Sequence, residues 1–159
     1  MNLILVDVDG VLNPETPTED FTKYTLEANG YPYKVWLNPE HGEWLKELAA
    51  DTNSQLVWCT FWEHNAPVRI APILNLPEMP FVPMKRYKFS STLGQDKGFS
   101  ALSYVPEDTR FAYFDDEYDI SEFFNYHWPA SENGLHVFVD PDQGLQRFHI
   151  QQARNWLLA

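Results

Sequence analysis

The sequence has one cysteine, Cys59, so no internal disulfide can form and packing alone must hold the fold. No apolar run approaches the roughly 20 residues that span a bilayer, and no membrane association is expected. The apolar start, Leu3 to Val6, is too short for the core of a secretory signal and runs straight into Asp7 and Asp9. A cytoplasmic location is the expectation. Positive charge is scarce. Eleven Lys and Arg stand against 23 Asp and Glu, a formal net charge of -12. That excess repels phosphate backbones, so extended binding to nucleic acid is not expected. A phosphorylated substrate remains compatible with it, because a bound divalent cation reverses the field at one site. Lys85, Arg86 and Lys88 form the only tight basic cluster. There is no Gly-rich phosphate loop, which argues against an ATP-driven kinase. His64, His127, His136 and His149 show no metal-ligand spacing, and His41 reads as a surface residue of the first helix. Repeats and low-complexity tracts are absent.

What is present is a well-mixed globular composition. Hydrophobic residues make up 44% and aromatics 16% of 159 residues, which suits one domain spanning 1–159. Apolar runs alternate with helical patterns, the signature of βαβ units and a parallel α/β sheet of about five strands. The strands are expected at 3–6, 55–59, 81–82, 111–114 and 136–139. Helices are expected after Asn38-Pro39, an N-cap followed by proline, and then over 66–74, 96–102, 120–124 and 145–158. Cys59 falls in a strand and reads as a small buried hydrophobe. Residues 11–37 break the rhythm. Asn29-Gly30 between two apolar runs predicts a β-hairpin, inserted as a small flap after the first strand. Ligands of parallel sheets bind beyond the carboxyl ends of the strands, so a flap there would cover the site.

The sharpest chemical signal is Asp7-Val8-Asp9-Gly10-Val11 at the end of the first strand. Two carboxylates two residues apart on an extended backbone point the same way and repel each other, unless a cation or a proton neutralises them. Magnesium favours such oxygen donors together with a substrate phosphate. Gly10 allows a sharp turn and a close approach to a ligand.

These residues, together with Thr60, Lys97 and Asp115-Asp116, resemble the motifs of the haloacid dehalogenase (HAD) superfamily of phosphatases and phosphotransferases. The resemblance runs in order from Asp7 to Asp116. It implies a three-layer Rossmann-like fold with helices on both faces of the sheet. It also implies roles. Asp7 is the nucleophile that becomes phosphorylated, and Asp9 is the general acid and base. Thr60, after Leu56-Val57-Trp58-Cys59, hydrogen-bonds the phosphoryl group. Lys97 balances the charge of the nucleophile, with Lys88 as its rival. Asp115 and Asp116 join Asp7 and Asp9 around Mg2+, with Asp119 the alternative to Asp116. Trp62 and Asn65 follow Thr60 directly and are expected to meet the substrate, although Trp62 and Phe61 equally suit the core. The stretch from Thr60 to Pro77 resembles small HAD domains related to nucleic-acid end-repair proteins.

The function implied is Mg2+-dependent hydrolysis of a phosphomonoester through an aspartyl phosphate. The substrate implied is a phosphorylated small molecule or a nucleic-acid end, with a phosphoprotein as the alternative. Two alternatives stand beside it. A catalytically silent HAD-fold binding module would be expected to have lost Asp7, Asp9 or Asp115, and all are retained. A dehalogenase would lack Asp9. The oligomeric state cannot be read from these residues.

Overall fold

The computed structural model describes residues 1–126 and 130–159, so His127 lies outside the described residues. Four parallel strands form the central sheet, in the order β4-β1-β5-β6. They are β1 (Asn2–Val6), β4 (Ser54–Trp58), β5 (Phe111–Asp115) and β6 (Gly134–Phe138). A two-stranded antiparallel hairpin, β2 (Thr22–Ala28) and β3 (Tyr31–Leu37), stands apart from the sheet.

Alternation along each strand divides the core between two faces, as the period of two requires. Ile4, Val6, Leu56, Trp58, Ala112 and Phe114 point to one side. There they meet Leu45 and Leu48 of α1 (Glu40–Asp51) and Ile150, Ala153 and Leu157 of α6 (Arg147–Leu158). Leu3, Leu5, Val57, Phe111 and Tyr113 point to the other. They pack on Ala101 of α3 (Leu93–Tyr104) and on Ile120, Phe123 and Phe124 of α4 (Asp119–Tyr126). This is the expected arrangement of three layers, a sheet between two helical faces. Cys59 follows β4 and is fully buried.

The expected strand at Phe81-Val82 is reduced to one parallel bridge between Phe81 and Trp58. Trp58 donates its N–H to the Pro80 carbonyl at 2.9 Å, and Val82 donates to the Trp58 carbonyl at 2.7 Å. Pro80 and Pro83 flank the bridge, and proline has no N–H to extend a ladder. The sheet therefore has four full strands, with a bridge as its fifth position. A short helix, α5 (Ala130–Asn133), was not expected.

Local signals explain the helix starts. The Asn38 side chain accepts from the Glu40 N–H at 3.0 Å, the predicted cap on α1. Thr92 does the same for α3 through Gln95. The segment 66–74 is helical in two parts, a wide π turn (Ala66–Ile70) and then α2 (Ala71–Leu74). Pro72 cannot complete an ordinary α turn. The chain widens instead, and Ala71 donates to the Ala66 carbonyl.

The hairpin turns at Asn29 and Gly30, with φ of 52° and 81° and Ala28 opposite Tyr31. That is the mirror-image two-residue turn that Asn-Gly favours. Of the expected insertion, residues 11–21 carry no strand. They are tied to the loop before α6, Glu15 donating to the Pro141 carbonyl and Thr16 to that of Asp142. His41 is not at the surface. It is 1% exposed, packed against Phe21 and Trp44 with ring centroids 5.5 and 4.9 Å away. Burial pushes its imidazole down to about 4. The entry to the hairpin brings Phe21 over it, a tertiary contact invisible to helix periodicity. Among the described residues, no helix is long and apolar enough to cross a membrane.

Gly42 sits inside α1, where alanine would normally stabilise a helix by about 1 kcal/mol. A Cβ there would stand 1.9 Å from the Leu74 carbonyl oxygen of α2. Gly42→Ala is therefore expected to destabilise the protein by about 1–3 kcal/mol, the cost of overpacking. Urea unfolding checks this, and a gain in stability would show that α1 and α2 are not in contact there.

Candidate active site

Parallel strands deliver their carboxyl ends to one edge of the sheet, and the motif residues gather there. Asp7 follows β1 and donates its N–H to the Phe114 carbonyl of the neighbouring β5 at 3.1 Å. Asp115 ends β5, and Asp116 follows it. Carboxylate oxygens of Asp7, Asp115 and Asp116 all lie within 4.8 Å of one another. From the opposite helical layer, Lys97 of α3 reaches into this group. Its Nζ donates to Asp7 Oδ2 at 2.8 Å and to Asp115 Oδ2 at 3.0 Å. Lys97 is 5% exposed and Asp115 not at all. Lys88 is exposed, and among the described residues it makes no such contact.

The electrostatics are unbalanced. Three carboxylates face one ammonium in a largely dry site. Burial opposes the charge on Lys97, but Asp7 and Asp115 outweigh it and raise its proton affinity. Burial raises the Asp7 carboxyl well above the usual carboxylate range, Lys97 opposes this, and Asp115 adds to it. Asp116 is pushed up to about 6, by burial first and then by Asp115. An all-oxygen donor set with surplus negative charge fits Mg2+, and a cation there would restore these carboxyls to their ionised form.

Gly10 explains how Asp116 comes so near. Its φ is +80°, and a Cβ would stand 2.3 Å from Asp116 Oδ2. The glycine thus admits a carboxylate of the protein itself. Asp119 belongs elsewhere. Its Oδ2 accepts a short hydrogen bond from the Thr92 hydroxyl at the start of α3.

The side chain of Asp9 is exposed and lies outside the carboxylate trio. The expectation that the Asp7 and Asp9 carboxylates point the same way is therefore not met. Asp9 Oδ1 accepts from Asn13 Nδ2 at 3.0 Å, and its Oδ2 accepts from Trp62 Nε1 at 2.9 Å. The turn at Gly10, where Gly10 and Asn13 bond through their backbones at 2.8 Å, directs it there. Thr60 is buried beyond β4, beside the loop that follows β1, since Cys59 donates its N–H to the Val6 carbonyl. Its hydroxyl accepts from the Trp62 N–H at 3.2 Å.

Trp62 is buried in the core and also lines a cleft of about 230 Å3, together with Asp9, Asn13, Tyr33, Phe61 and Asn65. Its ring packs on Tyr33 of the hairpin at 5.6 Å. Asn65 donates to Asn29 Oδ1 in the hairpin turn at 3.3 Å. The hairpin thus forms one wall of the cleft, as the predicted flap should.

Two supporting residues escaped the sequence reading. Asn13 holds Asp9 with its amide N–H and accepts from the Trp36 N–H of β3 at 2.9 Å, joining Asp9 to the hairpin. Only its spacing four residues after Asp9 hinted at this. His136 donates from Nε2 to the Asp115 carbonyl at 2.9 Å, and its Nδ1 is 2.6 Å from the Ser121 hydroxyl. Burial lowers its proton affinity, so the neutral ring accepts from Ser121. Nothing in its spacing signalled this role.

Residues 3–150 match the family described as the HAD domain in Swiss Army Knife RNA repair proteins. In structure, the chain is similar to the HAD domain of effector protein Lem4 from Legionella pneumophila. The TM-score is 0.58 at 14% sequence identity, over 99% of this chain and 97% of that one. No curated protein matches the chain in sequence.

Asp116 gives a signed pH expectation. Its folded-state pKa of about 6 exceeds the ordinary carboxylate value of 3.8. The metal-free protein therefore loses stability as pH rises from about 4 to 6, where the folded state holds the extra proton. Mg2+ should bind weakly below pH 6 and more tightly above it. At a hundred times its Kd, Mg2+ should stabilise the fold by about 2.7 kcal/mol. Asp116→Asn should raise the metal-free Tm at pH 7.5 and abolish the Mg2+-induced rise. Thermal melts with and without Mg2+ read both, and an unaltered Mg2+ response in the variant would place the ion elsewhere.

Proposed function

The chain belongs to the family of HAD domains of Swiss Army Knife RNA repair proteins, and from that membership we propose that it is a one-domain, Mg2+-dependent phosphomonoesterase acting on a nucleotide or nucleic-acid end through an aspartyl phosphate on Asp7. One observation carries the reading. Lys97 bridges Asp7 and Asp115 from a separate layer, at 2.8 and 3.0 Å, with Asp116 completing a compact acidic group. A purely structural ion pair would need one carboxylate, and the extra buried charge calls for another cation.

Asp7, Asp115 and Asp116, with the backbone carbonyl of Asp9, are the residues that would hold the metal. Mg2+, when bound, supplies charge neutralisation for the phosphate ester and for these carboxylates. The Asp7 carboxylate attacks phosphorus, so an acyl–phosphate bond forms as the ester P–O bond breaks. Thr60 and Lys97 bind phosphoryl oxygens, and this preorganised charge supplies most of the rate. Asp9 gives its proton to the leaving oxygen. It then takes a proton from water as that water attacks phosphorus, which frees inorganic phosphate and restores the Asp7 carboxylate. Asn13 and Trp62 orient Asp9 over the cleft by their two hydrogen bonds. A nucleoside leaving group is favoured by the aromatic wall of that cleft, Tyr33, Phe61 and Trp62.

Asp7→Asn is expected to abolish hydrolysis of aryl phosphate with the fold intact by circular dichroism. Asp9→Asn should slow it by about 10²–10⁴-fold, the range for loss of a general acid. A steady-state assay with Mg2+ decides it, and turnover retained by Asp7→Asn would exclude the covalent route.

A further inference from the structure

The basic cluster is left unused by this chemistry, yet the fold fastens it beside the site. Lys85, Arg86 and Lys88 lie on the irregular segment that leads into α3, Lys88 in a turn closed by the Ser90 N–H on the Tyr87 carbonyl. Backbone N–H groups fix that segment. Met84 donates to Glu63 Oε2 at 3.3 Å, Lys85 to Ser100 Oγ at 3.1 Å and Tyr87 to Asp96 Oδ1 at 2.9 Å. Asp96 and Ser100 are buried on α3, on either side of Lys97 in sequence. The helix that positions the lysine of the site therefore also positions the strip.

Because the main chain makes these bonds, the three cationic side chains remain exposed. Among the described residues, no carboxylate lies within ion-pair distance of them, whereas Lys46, Arg147 and Arg154 are each paired with an acid. Arg86 lies over the Phe61 ring at 5.3 Å, and the same ring is 6.0 Å from Lys97 Nζ. Phe61 also lines the cleft. A continuous path thus leads from the carboxylates through Lys97 and Phe61 to Arg86. Phe89, which follows Lys88, is 67% exposed, with its ring 5.2 Å from that of Tyr87 and 4.6 Å from that of Phe99. Cations interleaved with an exposed ring are what a single strand requires, charge for phosphates and a face for bases.

We propose that this strip seats the sugar–phosphate backbone leading to the terminal phosphate, so that the substrate is the end of a single-stranded polynucleotide and not a free nucleotide. The proposal rests on the phosphomonoesterase reading of the site. It also confines nucleic-acid contact to about three phosphates, which a net charge of -12 tolerates.

The test compares kcat/KM for aryl phosphate, mononucleotides, a phosphopeptide and end-phosphorylated oligonucleotides of two, four and eight nucleotides, in RNA and DNA forms. The wild type and a Lys85→Glu/Lys88→Glu variant are assayed alike. The wild type should prefer the oligonucleotides over mononucleotides by about tenfold or more. Three contacts at about -0.7 each predict a log–log salt slope near -2. In the variant, the preference and the slope should both fall towards those of mononucleotides. Equal use of mononucleotide and octanucleotide, a preference indifferent to the charge reversal, or better use of the phosphopeptide would overturn the proposal. Binding of an unphosphorylated octanucleotide to Asp7→Asn, read by fluorescence anisotropy at low salt, is independent of turnover. Salt-sensitive binding that Lys85→Glu/Lys88→Glu removes supports the strip even if no ester is cleaved, an outcome that would fell only the phosphatase reading. No binding at low salt overturns the strip itself.

Discussion

The contact on which this structure turns is the ammonium of Lys97 held between Asp7 and Asp115. It joins the central strands of the sheet to the helix α3 that covers one face. Such a buried arrangement is expensive to desolvate and is a weak source of stability by itself. Its value lies in what it leaves over. After one lysine has been matched, Asp7 and Asp116 still hold their protons too tightly for ionised carboxylates. A site in that condition would accept a second cation, and under the proposed function that cation stands beside the carboxylate that attacks phosphorus.

The rest of the fold arranges access to this point. One face of the cleft comes from the hairpin, through Tyr33 and the Asn29 turn, and the other from the loop after β4, through Phe61, Trp62 and Asn65. Asp9 stands between them, pulled out of the carboxylate trio by Asn13 and Trp62. Asp7 and Asp9, the proposed nucleophile and acid, are two residues apart in sequence and thereby occupy different environments. One is dry and crowded by charge, the other exposed and held by neutral donors. Under the proposed function, that separation would let the two aspartates take opposite parts in one reaction.

Much of this was legible in the residues. Strand alternation assigns Ile4 and Leu5 to opposite cores, and both are fully buried. Asn29-Gly30 announced its turn, and Asp7, Lys97, Asp115 and Asp116, read as one set, are side chains that the structure brings together. What escaped depended on partners far along the chain. His41 looked superficial because nothing in its own helix shows Phe21 arriving from the hairpin. The fifth strand failed because Pro80 and Pro83 remove the donors a ladder needs. The Asp9 side chain departs from the expected direction because the chain bends at Gly10, where φ is positive. His136 supports the Asp115 carbonyl from the next strand, through a register that spacing alone does not reveal.

The most direct test is a crystal structure grown with Mg2+ and beryllium fluoride, whose trifluoride adduct mimics a phosphoryl group on a carboxylate. The account predicts the adduct on Asp7, with the Lys97 ammonium and Thr60 hydroxyl at its fluorines and one Mg2+ between it, Asp115 and Asp116. Beryllium fluoride bound to any other residue, or Mg2+ lodged away from these carboxylates, would contradict it.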